Sequence, residues 1–224
     1  NTTDGDLELA GQVSRDVSAA VHLDTFDVEN NEGNPNGLTF KSDGTIMYVQ
    51  GYNTDKIFQY TLSTAFDLTT ASYANKFISI SGQDSTAGGL AISSDGTKIF
   101  FAGDQSNAVW EYALSTAYDI STASSTGSFS VSSQSTAPNG LAFNNDGTAM
   151  YVCDPDENKI FQYTLTTGFD RSTASYANKY INVNNEESYI ADLAFNEDGT
   201  KMYIVGHTNY IHCLLYTSDA ADEE

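Results

Sequence analysis

The chain has 224 residues, of which 40% are hydrophobic and 12% aromatic, enough for a packed core. Its formal net charge is −21, with only 9 Lys and Arg, which argues against nucleic-acid binding because phosphate backbones are held by basic side chains. No apolar run approaches the roughly eighteen residues of a membrane span. Two cysteines, Cys153 and Cys213, do not indicate a disulfide framework. No secretion signal is visible, and the chain opens at Asn1 without Met, which leaves room for an upstream segment.

A motif ending in Asp-Gly-Thr recurs four times at nearly constant spacing. It stands at 42–45, 94–97, 145–148 and 197–200, so its aspartates are 52, 51 and 52 residues apart. The same order of segments surrounds each copy. A period of this length indicates a repeat architecture in which each copy is one supersecondary unit.

Two apolar segments flank each motif and are predicted to be strands. The first, at 37–40 and its copies, carries Ala91, Ala142 and Ala194 at its middle position, which suits an inner strand crowded near a common axis. The Asp-Gly pair supplies the positive φ of a tight hairpin turn. The second segment, at 46–49 and its copies, is apolar on both faces, as expected of a strand that is covered on both sides.

Two more strands complete each unit. The third, at 57–64, 109–116 and 160–167, places Phe58, Tyr60 and Leu62 or their counterparts on one face, and this column is expected to stabilise the core. The fourth is predicted at 76–81, 127–132 and 179–184.

A unit of four short strands cannot bury both of its faces alone, so neighbouring units must stack. Radial stacking produces a β-propeller, whereas linear β-solenoids use much shorter repeats. We therefore predict an all-β propeller over residues 1–212, with about four four-stranded blades that form part of a larger, six- to eight-bladed ring. As an alternative, HLDTFDV (22–28) pairs with the strands at 192–212 and closes a four-bladed ring.

The stretches SSDGTKIFFAGDQSNAVWEYAL (93–114) and NNDGTAMYVCDPDENKIFQYTL (144–165) resemble YVTN-type and NHL-like propeller repeats, which are distant relatives of WD-repeat blades. The resemblance covers about residues 14–212. It implies the fold and leaves the function open, because that superfamily includes surface-layer proteins, lactonases, adhesion modules and phage particle proteins.

The connection STAFDLTTASYANK (63–76) and its echoes at 115–125 and 166–179 resemble repeats of environmental bacterial and phage surface proteins. This resemblance implies an extracellular, cell-surface or virion location. In these connections Asp67, Asp119 and Asp170 are expected to cap a short turn through their side chains.

The fourth repeat follows the pattern through Ile211 and His212 and then departs from it. Residues 213–224, CLLYTSDAADEE, resemble the translated adapter of a sequencing library, so we expect a non-native tail. On this view the propeller is cut inside a blade, and the exposed edge and apolar face should make the chain self-associate.

Loops that join the second and third strands, together with those that cross to the next blade, are the expected place for a ligand site because the strands are occupied with packing. Their Asn, Asp and Tyr side chains suit a glycan or a surface protein. The candidate ligand-binding residues are Tyr52, Asn53, Asp55, Asp104, Asn107, Asp154, Asn158, His207 and Asn209.

Neither a resident metal nor a cofactor is expected from the motifs. Asp154, Asp156 and Asn158 have the alternating spacing of a calcium loop, but Lys159 stands where that loop needs Gly and Leu165 where it needs Glu, so calcium is only an alternative. The histidines, His22, His207 and His212, occupy non-equivalent positions and form no catalytic signature.

We therefore favour a non-catalytic scaffold or binding module of an extracellular or particle-surface protein, which recognises a glycan or protein through its loop face. Two alternatives stay open: a metal-dependent hydrolase of the lactonase type, and a purely structural repeat in a phage or adhesin polypeptide.

Overall fold

The computed structural model describes residues 22–196, 198–207 and 210–215. Within them the chain forms four antiparallel sheets, and in each sheet consecutive strands lie side by side. Each sheet is one repeat, which we call a blade. The first two blades have four strands each: β1 (Pro35–Phe40), β2 (Ile46–Gly51), β3 (Lys56–Leu62), β4 (Ala71–Ser79), β5 (Ala87–Ile92), β6 (Lys98–Gly103), β7 (Ala108–Leu114) and β8 (Ala123–Ser130).

The third blade also has four strands, and the fourth has three within the described part of the chain. Four four-stranded blades were expected, so the last blade falls one strand short here. Its third strand runs past the predicted end of the repeat at residue 212. The strands are β9 (Leu141–Phe143), β10 (Ala149–Asp154), β11 (Lys159–Leu165), β12 (Ala174–Asn182), β13 (Ile190–Phe195), β14 (Lys201–Gly206) and β15 (Ile211–Leu215).

The Asp-Gly-Thr motif forms the turn between the first two strands of each blade, as predicted. Gly44 has φ of 72°, and the Asp43 carboxylate accepts from Thr45 through the backbone N–H (3.0 Å) and the hydroxyl (2.6 Å). The hairpin closes where the Lys41 N–H donates to the Ile46 carbonyl. Only the glycine has positive φ, because the aspartate turns the chain through its side chain.

The connection between the third and fourth strands of each blade is shorter than the sequence indicated. In the first blade a 3₁₀ turn, Leu68–Thr70, leads at once into β4, which begins at Ala71 rather than at the predicted residue 76. The same difference is found for β8 and β12. The prediction missed these residues because a bulge at Asn75, with φ of 56°, breaks the alternation of the strand.

The predicted caps are confirmed. Asp67, Asp119 and Asp170 each precede a 3₁₀ turn, and each side chain accepts from the backbone N–H two residues later. The connections of the second and third blades also reach back to the blade before them. The Ile120 N–H donates to the Gln59 side-chain oxygen at 2.9 Å, and Lys76 lies 2.7 Å from the Asp119 carboxylate.

The core lies between blades. Tyr48, Ile57 and Ile80 of the first blade pack against Phe101 and Tyr112 of the second. The predicted column is confirmed in the first and third blades, since the third-strand residues Phe58, Tyr60 and Leu62 and their counterparts Phe161, Tyr163 and Leu165 are all at most 4% exposed. In the second blade Tyr112 and Leu114 are buried and Trp110 is partly buried.

The innermost strands pack side by side, β1 with β5, β5 with β9 and β9 with β13. They approach so closely that a Cβ on Gly89 would overlap the backbone of Gly140 and Leu141. The blades are therefore arrayed around one axis, and the chain has the β-propeller fold.

Residues 22–28 do not pair with β15, so the four-bladed closure is not formed within the described residues. The segment instead covers the face of the first blade that is turned away from the second blade, where the ring of Phe26 meets that of Tyr60 at 5.4 Å between centroids. Phe26 and Val28 pack against the cluster that contains Met47 and Phe58.

Candidate functional site on the loop face

The hairpins between second and third strands and the crossing loops between blades lie at one end of the propeller, which we call the loop face. Glu32 ties them together. This side chain is 1% exposed and sits in a crossing loop. Its carboxylate accepts from the N–H groups of Asn34 (2.7 Å), Asn53 (3.3 Å) and Thr54 (3.1 Å), and from the Thr54 hydroxyl (2.6 Å). Burial works to raise the pKa of Glu32, but the hydrogen bonds from Thr54, Asn34 and Asn53 together lower it.

Equivalent carboxylates anchor the second and fourth blades. Asp84 accepts from the N–H groups of Thr86 (2.8 Å) and Ser106 (2.8 Å). Glu187 accepts from those of Ser188 (2.8 Å) and Tyr189 (3.1 Å). Both carboxylates are 1% exposed. A buried anion that accepts several hydrogen bonds holds its loops in one conformation, so the loop face is a rigid platform.

In the third blade the anchor comes from the hairpin instead of the crossing loop. Asp154 is fully buried, and its carboxylate accepts from the Ser135 hydroxyl (2.7 Å) and from the N–H groups of Thr136 (3.1 Å) and Glu157 (2.9 Å). This candidate ligand-binding residue therefore uses its oxygens within the protein.

Three further candidates occupy one repeated position in the hairpin. Asp55, Asn107 and Asn158 have φ of 50°, 49° and 49°. Each backbone carbonyl accepts from the N–H of the residue directly after the fourth strand, as the Asp55 carbonyl does from Ile80 at 2.8 Å. Their shared task is to turn the chain, which Asp and Asn do with little strain in the left-handed region.

The side chains of the two asparagines hold the neighbouring crossing loop. Asn158 donates to the Ser188 carbonyl (3.0 Å) and accepts from the Ile190 N–H (3.1 Å). The Asn107 amide nitrogen, in its satisfied orientation, donates to the Thr136 carbonyl at 2.8 Å. With Asp154 and Asn158 turned inward, Asp156 is the exposed member of the calcium-type spacing.

A second group of residues on the loop face, which we call the loop-face cluster, consists of the partly buried Tyr189 and the exposed Tyr52, Asp104, Asp156 and His207. Tyr52, Asp104 and His207 occupy the same hairpin position in three different blades, and Tyr52 is 45% exposed. The imidazole of His207 stacks on the ring of Tyr189, with centroids 4.0 Å apart and planes inclined by 15°. Equivalent hairpin positions of successive blades are arranged around the propeller axis. The cluster therefore lies where the axis opens at the loop face, which we call the mouth of the axis.

The cluster is electrostatically coupled. Partial burial, followed by the charges of Asp84, Asp156 and Asp154, raises the pKa of Asp104. Partial burial, followed by the charges of Asp156, Asp104 and Asp154, raises the pKa of Tyr189. Carboxylates from two blades therefore act on one aromatic ring, which creates a negative potential at the mouth of the axis.

Of the remaining candidates, Asn53 is exposed beside the cluster and donates its backbone N–H to Glu32. Asn209 lies outside the described residues.

A cleft of about 380 Å³ runs along the axis between the first strands of all four blades. Its walls include Leu38, Leu90, Leu141 and Leu193, and Asp192 is the one charged side chain among its described lining residues. Asp192 stands where the other three blades have Gly. Burial raises its pKa to about 6, against the lowering effect of backbone N–H groups.

Cys153 lies next to Asp192, since a Cβ on Gly140 would overlap both the Cys153 sulfur and the Asp192 side chain. Its thiol is fully buried, and burial and then the Asp192 charge raise its pKa, so it is held as a neutral thiol. Across residues 22–196, 198–207 and 210–215, no three His, Cys, Asp or Glu side chains are grouped so that they could hold a metal ion.

The sequence alone did not single out the anchors Glu32, Asp84 and Glu187, nor Tyr189 and Asp192. Two signals were available: an acidic residue recurs four positions after the apolar end of the fourth strand, and Asp192 interrupts a repeated Gly.

No protein-family model and no curated protein matches the sequence. Solved structures match over most of the chain at low identity. A candidate 6-phosphogluconolactonase from Bacteroides uniformis matches with a TM-score of 0.58 and 13% identity, over 82% of this chain and 50% of that one. The periplasmic gluconolactonase PpgL of Pseudomonas aeruginosa matches with 0.53 and 15%, over 82% and 50%. A Desulfotomaculum acetoxidans protein of unknown function matches with 0.54 and 14%, over 83% and 67%.

At these identities the matches establish the fold and nothing about activity. The described residues include no helix with the length and apolar character that a membrane crossing requires. The chain is a β-propeller that spans about half the length of the larger propellers it resembles.

Proposed function

We propose that the chain is a non-catalytic binding module of an extracellular or particle-surface protein, and that it takes a glycan at the loop-face cluster. The observation that carries the proposal is the stack of the exposed His207 on the partly buried Tyr189, beside the carboxylates of Asp104 and Asp156. Tyr52 adds a second exposed ring at the same end of the axis.

These groups suit a sugar for physical reasons. Aromatic rings offer flat apolar faces to the C–H groups of a pyranose, and carboxylates accept hydrogen bonds from its hydroxyls. The buried anchors hold the surrounding loops in place before a ligand arrives, so little conformational entropy is lost on binding.

The test is a glycan array followed by calorimetry on the best binder, with Tyr52→Ala, His207→Ala and Asp104→Asn as variants. Each is expected to weaken binding about 10-fold or more, as interface aromatic and charged residues do when truncated. Tyr180→Ala is the matched control, because Tyr180 is an exposed tyrosine (59%) on an outer strand and should bind as the parent does.

An array without a binder, or three variants with unchanged affinity, would overturn the proposal. Capture of a protein partner that is lost in the same variants would replace the glycan with a protein ligand at the same surface.

A second candidate function is hydrolysis of a lactone in the central cleft, and it rests on Asp192. A carboxyl group with a pKa of about 6 in a largely apolar cleft is suited to proton transfer near neutral pH. Turnover of a lactone and ester panel, with and without calcium or zinc, that disappears in Asp192→Asn would support it. Absence of turnover under all these conditions would dispose of it.

A further inference from the structure

Two carboxylates of the loop-face cluster are not used by the fold. The anchors Glu32, Asp84 and Asp154 accept hydrogen bonds from backbone N–H groups. The carboxylates of Asp104 and Asp156, by contrast, accept no hydrogen bond and join no ion pair within residues 22–196, 198–207 and 210–215. Both side chains are exposed, so their charges can act on a ligand.

The lysines next to the loop face are turned away from its centre. Lys56 directly follows the hairpin of the first blade, and its Nζ lies 4.6 Å from the ring centroid of Phe77 on the outer strand. Lys159 follows the hairpin of the third blade, and its Nζ lies 5.2 Å from the ring centroid of Tyr180. The charges that raise pKa values within the loop-face cluster are all those of acidic groups. The mouth of the axis is therefore acidic.

Aromatic rings lie beside these carboxylates. His207 stacks on Tyr189 with centroids 4.0 Å apart, and Tyr52 is 45% exposed in the first blade. The face of an aromatic ring carries a negative electrostatic potential and attracts an ammonium group. An ammonium group also has three N–H donors, and carboxylates are strong acceptors for them. The rings and the carboxylates therefore favour a ligand of the same charge.

We propose that the glycan bound at the loop-face cluster carries free amino groups, which bind at the carboxylates of Asp104 and Asp156. This inference rests on the proposed function, because it names the class of sugar that the same site takes. Uronic, sialylated and sulfated glycans are disfavoured there, because the site is acidic and the whole chain has a formal charge of −21.

Desolvation favours an amino sugar over a neutral one. Partial burial raises the pKa of Asp104, so its charge is already disfavoured in the free protein. A bound sugar removes further water from this carboxylate and from that of Asp156. A neutral ligand leaves both charges in place and increases the cost, whereas an ammonium group offsets it.

The experiment compares two ligands that differ only at nitrogen: a glucosamine oligosaccharide and its N-acetylated counterpart of the same length. Calorimetry with the full chain at about pH 6, below the pKa of an amine, keeps the amino form positively charged. We expect the amino form to bind about 10-fold more tightly, as hydrogen bonds to charged groups exceed those to neutral ones. Added salt should reduce this advantage, because it screens exposed charges, and leave the affinity for the acetylated form unchanged.

Asp104→Asn and Asp156→Asn should each remove most of the advantage. Both variants should keep the affinity for the acetylated form, which shows that they are folded. Glu186→Gln is the matched control, because Glu186 is exposed in the same crossing loop as Tyr189 and the second and third blades have Gln at its position. This variant loses the same charge and should keep the full preference for the amino form.

Equal or tighter binding of the acetylated form, or a preference for an acidic oligosaccharide, would overturn the inference. The proposed function would stand in that case, provided that Tyr52→Ala still weakens binding. Absence of any bound glycan would instead overturn the proposed function and the inference together. A lysine peptide that binds with the same salt dependence, while neither sugar binds, would replace the sugar with a basic peptide and also overturn the inference.

Discussion

Asp154 accepts a 2.7 Å hydrogen bond from Ser135, and this pair reverses an arrangement that the other blades share. At the position of Asp154 they have Gly51, Gly103 and Gly206, and at the position of Ser135 they have Glu32, Asp84 and Glu187. A Cβ on Gly51 would overlap the Glu32 carboxylate, and the other two glycines meet their carboxylates in the same way. Each blade therefore has room for one carboxylate, and either side can provide it.

This relationship predicts a strong coupling between the two positions. Asp154→Gly leaves buried N–H groups without an acceptor and should cost about 3 kcal/mol of unfolding free energy. Ser135→Asp places two carboxylates in one buried site and should also destabilise. The double variant rebuilds the arrangement of the second blade, so urea unfolding should place it within about 1 kcal/mol of the parent. Additive losses would show that the positions are independent.

Asp192 predicts a pH-dependent stability. Its raised pKa means that the native state holds the proton more tightly than the unfolded state does. Below about pH 4 both states are protonated and there is no penalty. As the pH rises to about 6, Asp192 ionises first in the unfolded state, so the unfolding free energy falls by up to about 3 kcal/mol. Solvent screening of the partly exposed carboxylate makes the measured fall smaller than this. Asp192→Asn should thus match the parent at low pH and exceed its stability at pH 7.

The control for this titration is Asp146→Asn. Hydrogen bonds from Thr148 lower the pKa of Asp146, so its carboxylate stabilises the fold above its unfolded pKa, and that contribution is lost as the pH falls through the folded pKa. This variant should be less stable than its parent at pH 7 and equal to it in strong acid. Identical pH profiles for the two variants would contradict both assignments.

Because the inner strands approach closely at Gly89 but nothing lies near Gly82, replacement of these two glycines by Ala should have different effects on stability. Gly89→Ala drives a Cβ into the backbone of the next blade and should cost about 2–3 kcal/mol. Gly82→Ala meets nothing within 4 Å and should change the unfolding free energy by less than about 0.5 kcal/mol. Chemical denaturation followed by the fluorescence of Trp110 measures both. Equal effects would mean that the inner strands do not approach as described.

A buried hydrogen bond and a partly exposed ion pair join the first and second blades, and they should contribute differently to stability. Gln59→Leu leaves the buried Ile120 N–H without its acceptor and should cost about 1–3 kcal/mol. Lys76→Met removes an ion pair whose side chains are 35% and 24% exposed, and should cost less than about 1 kcal/mol. The comparison is made by thermal and urea unfolding at the same pH, and the reverse order would contradict it.

Much of the architecture was predictable because its signals are local. The Asp-Gly-Thr turn, the alternation of the strands and the caps Asp67, Asp119 and Asp170 depend on hydrogen bonds that span only a few residues. The start of β4 was missed because the bulge at Asn75 shifts the pairing of β4 with β3 between Gln59 and Tyr60, and pairing with another strand is not a local signal. The loop face stays a prediction as the place of the ligand site, and its residues could not be sorted by sequence into exposed and buried ones.

The repeat period and the apolar columns of the sequence by themselves determined a radial array of stacked blades, since each sheet must cover its faces with a like neighbour. The tertiary structure decided which polar side chains remain exposed. Asp104 and Asp154 look alike in sequence, yet one faces solvent and the other is buried against Ser135, because the room for a carboxylate depends on a loop some twenty residues away. The burial of a side chain depends on how the blades are assembled, so it cannot be predicted from a short stretch of sequence.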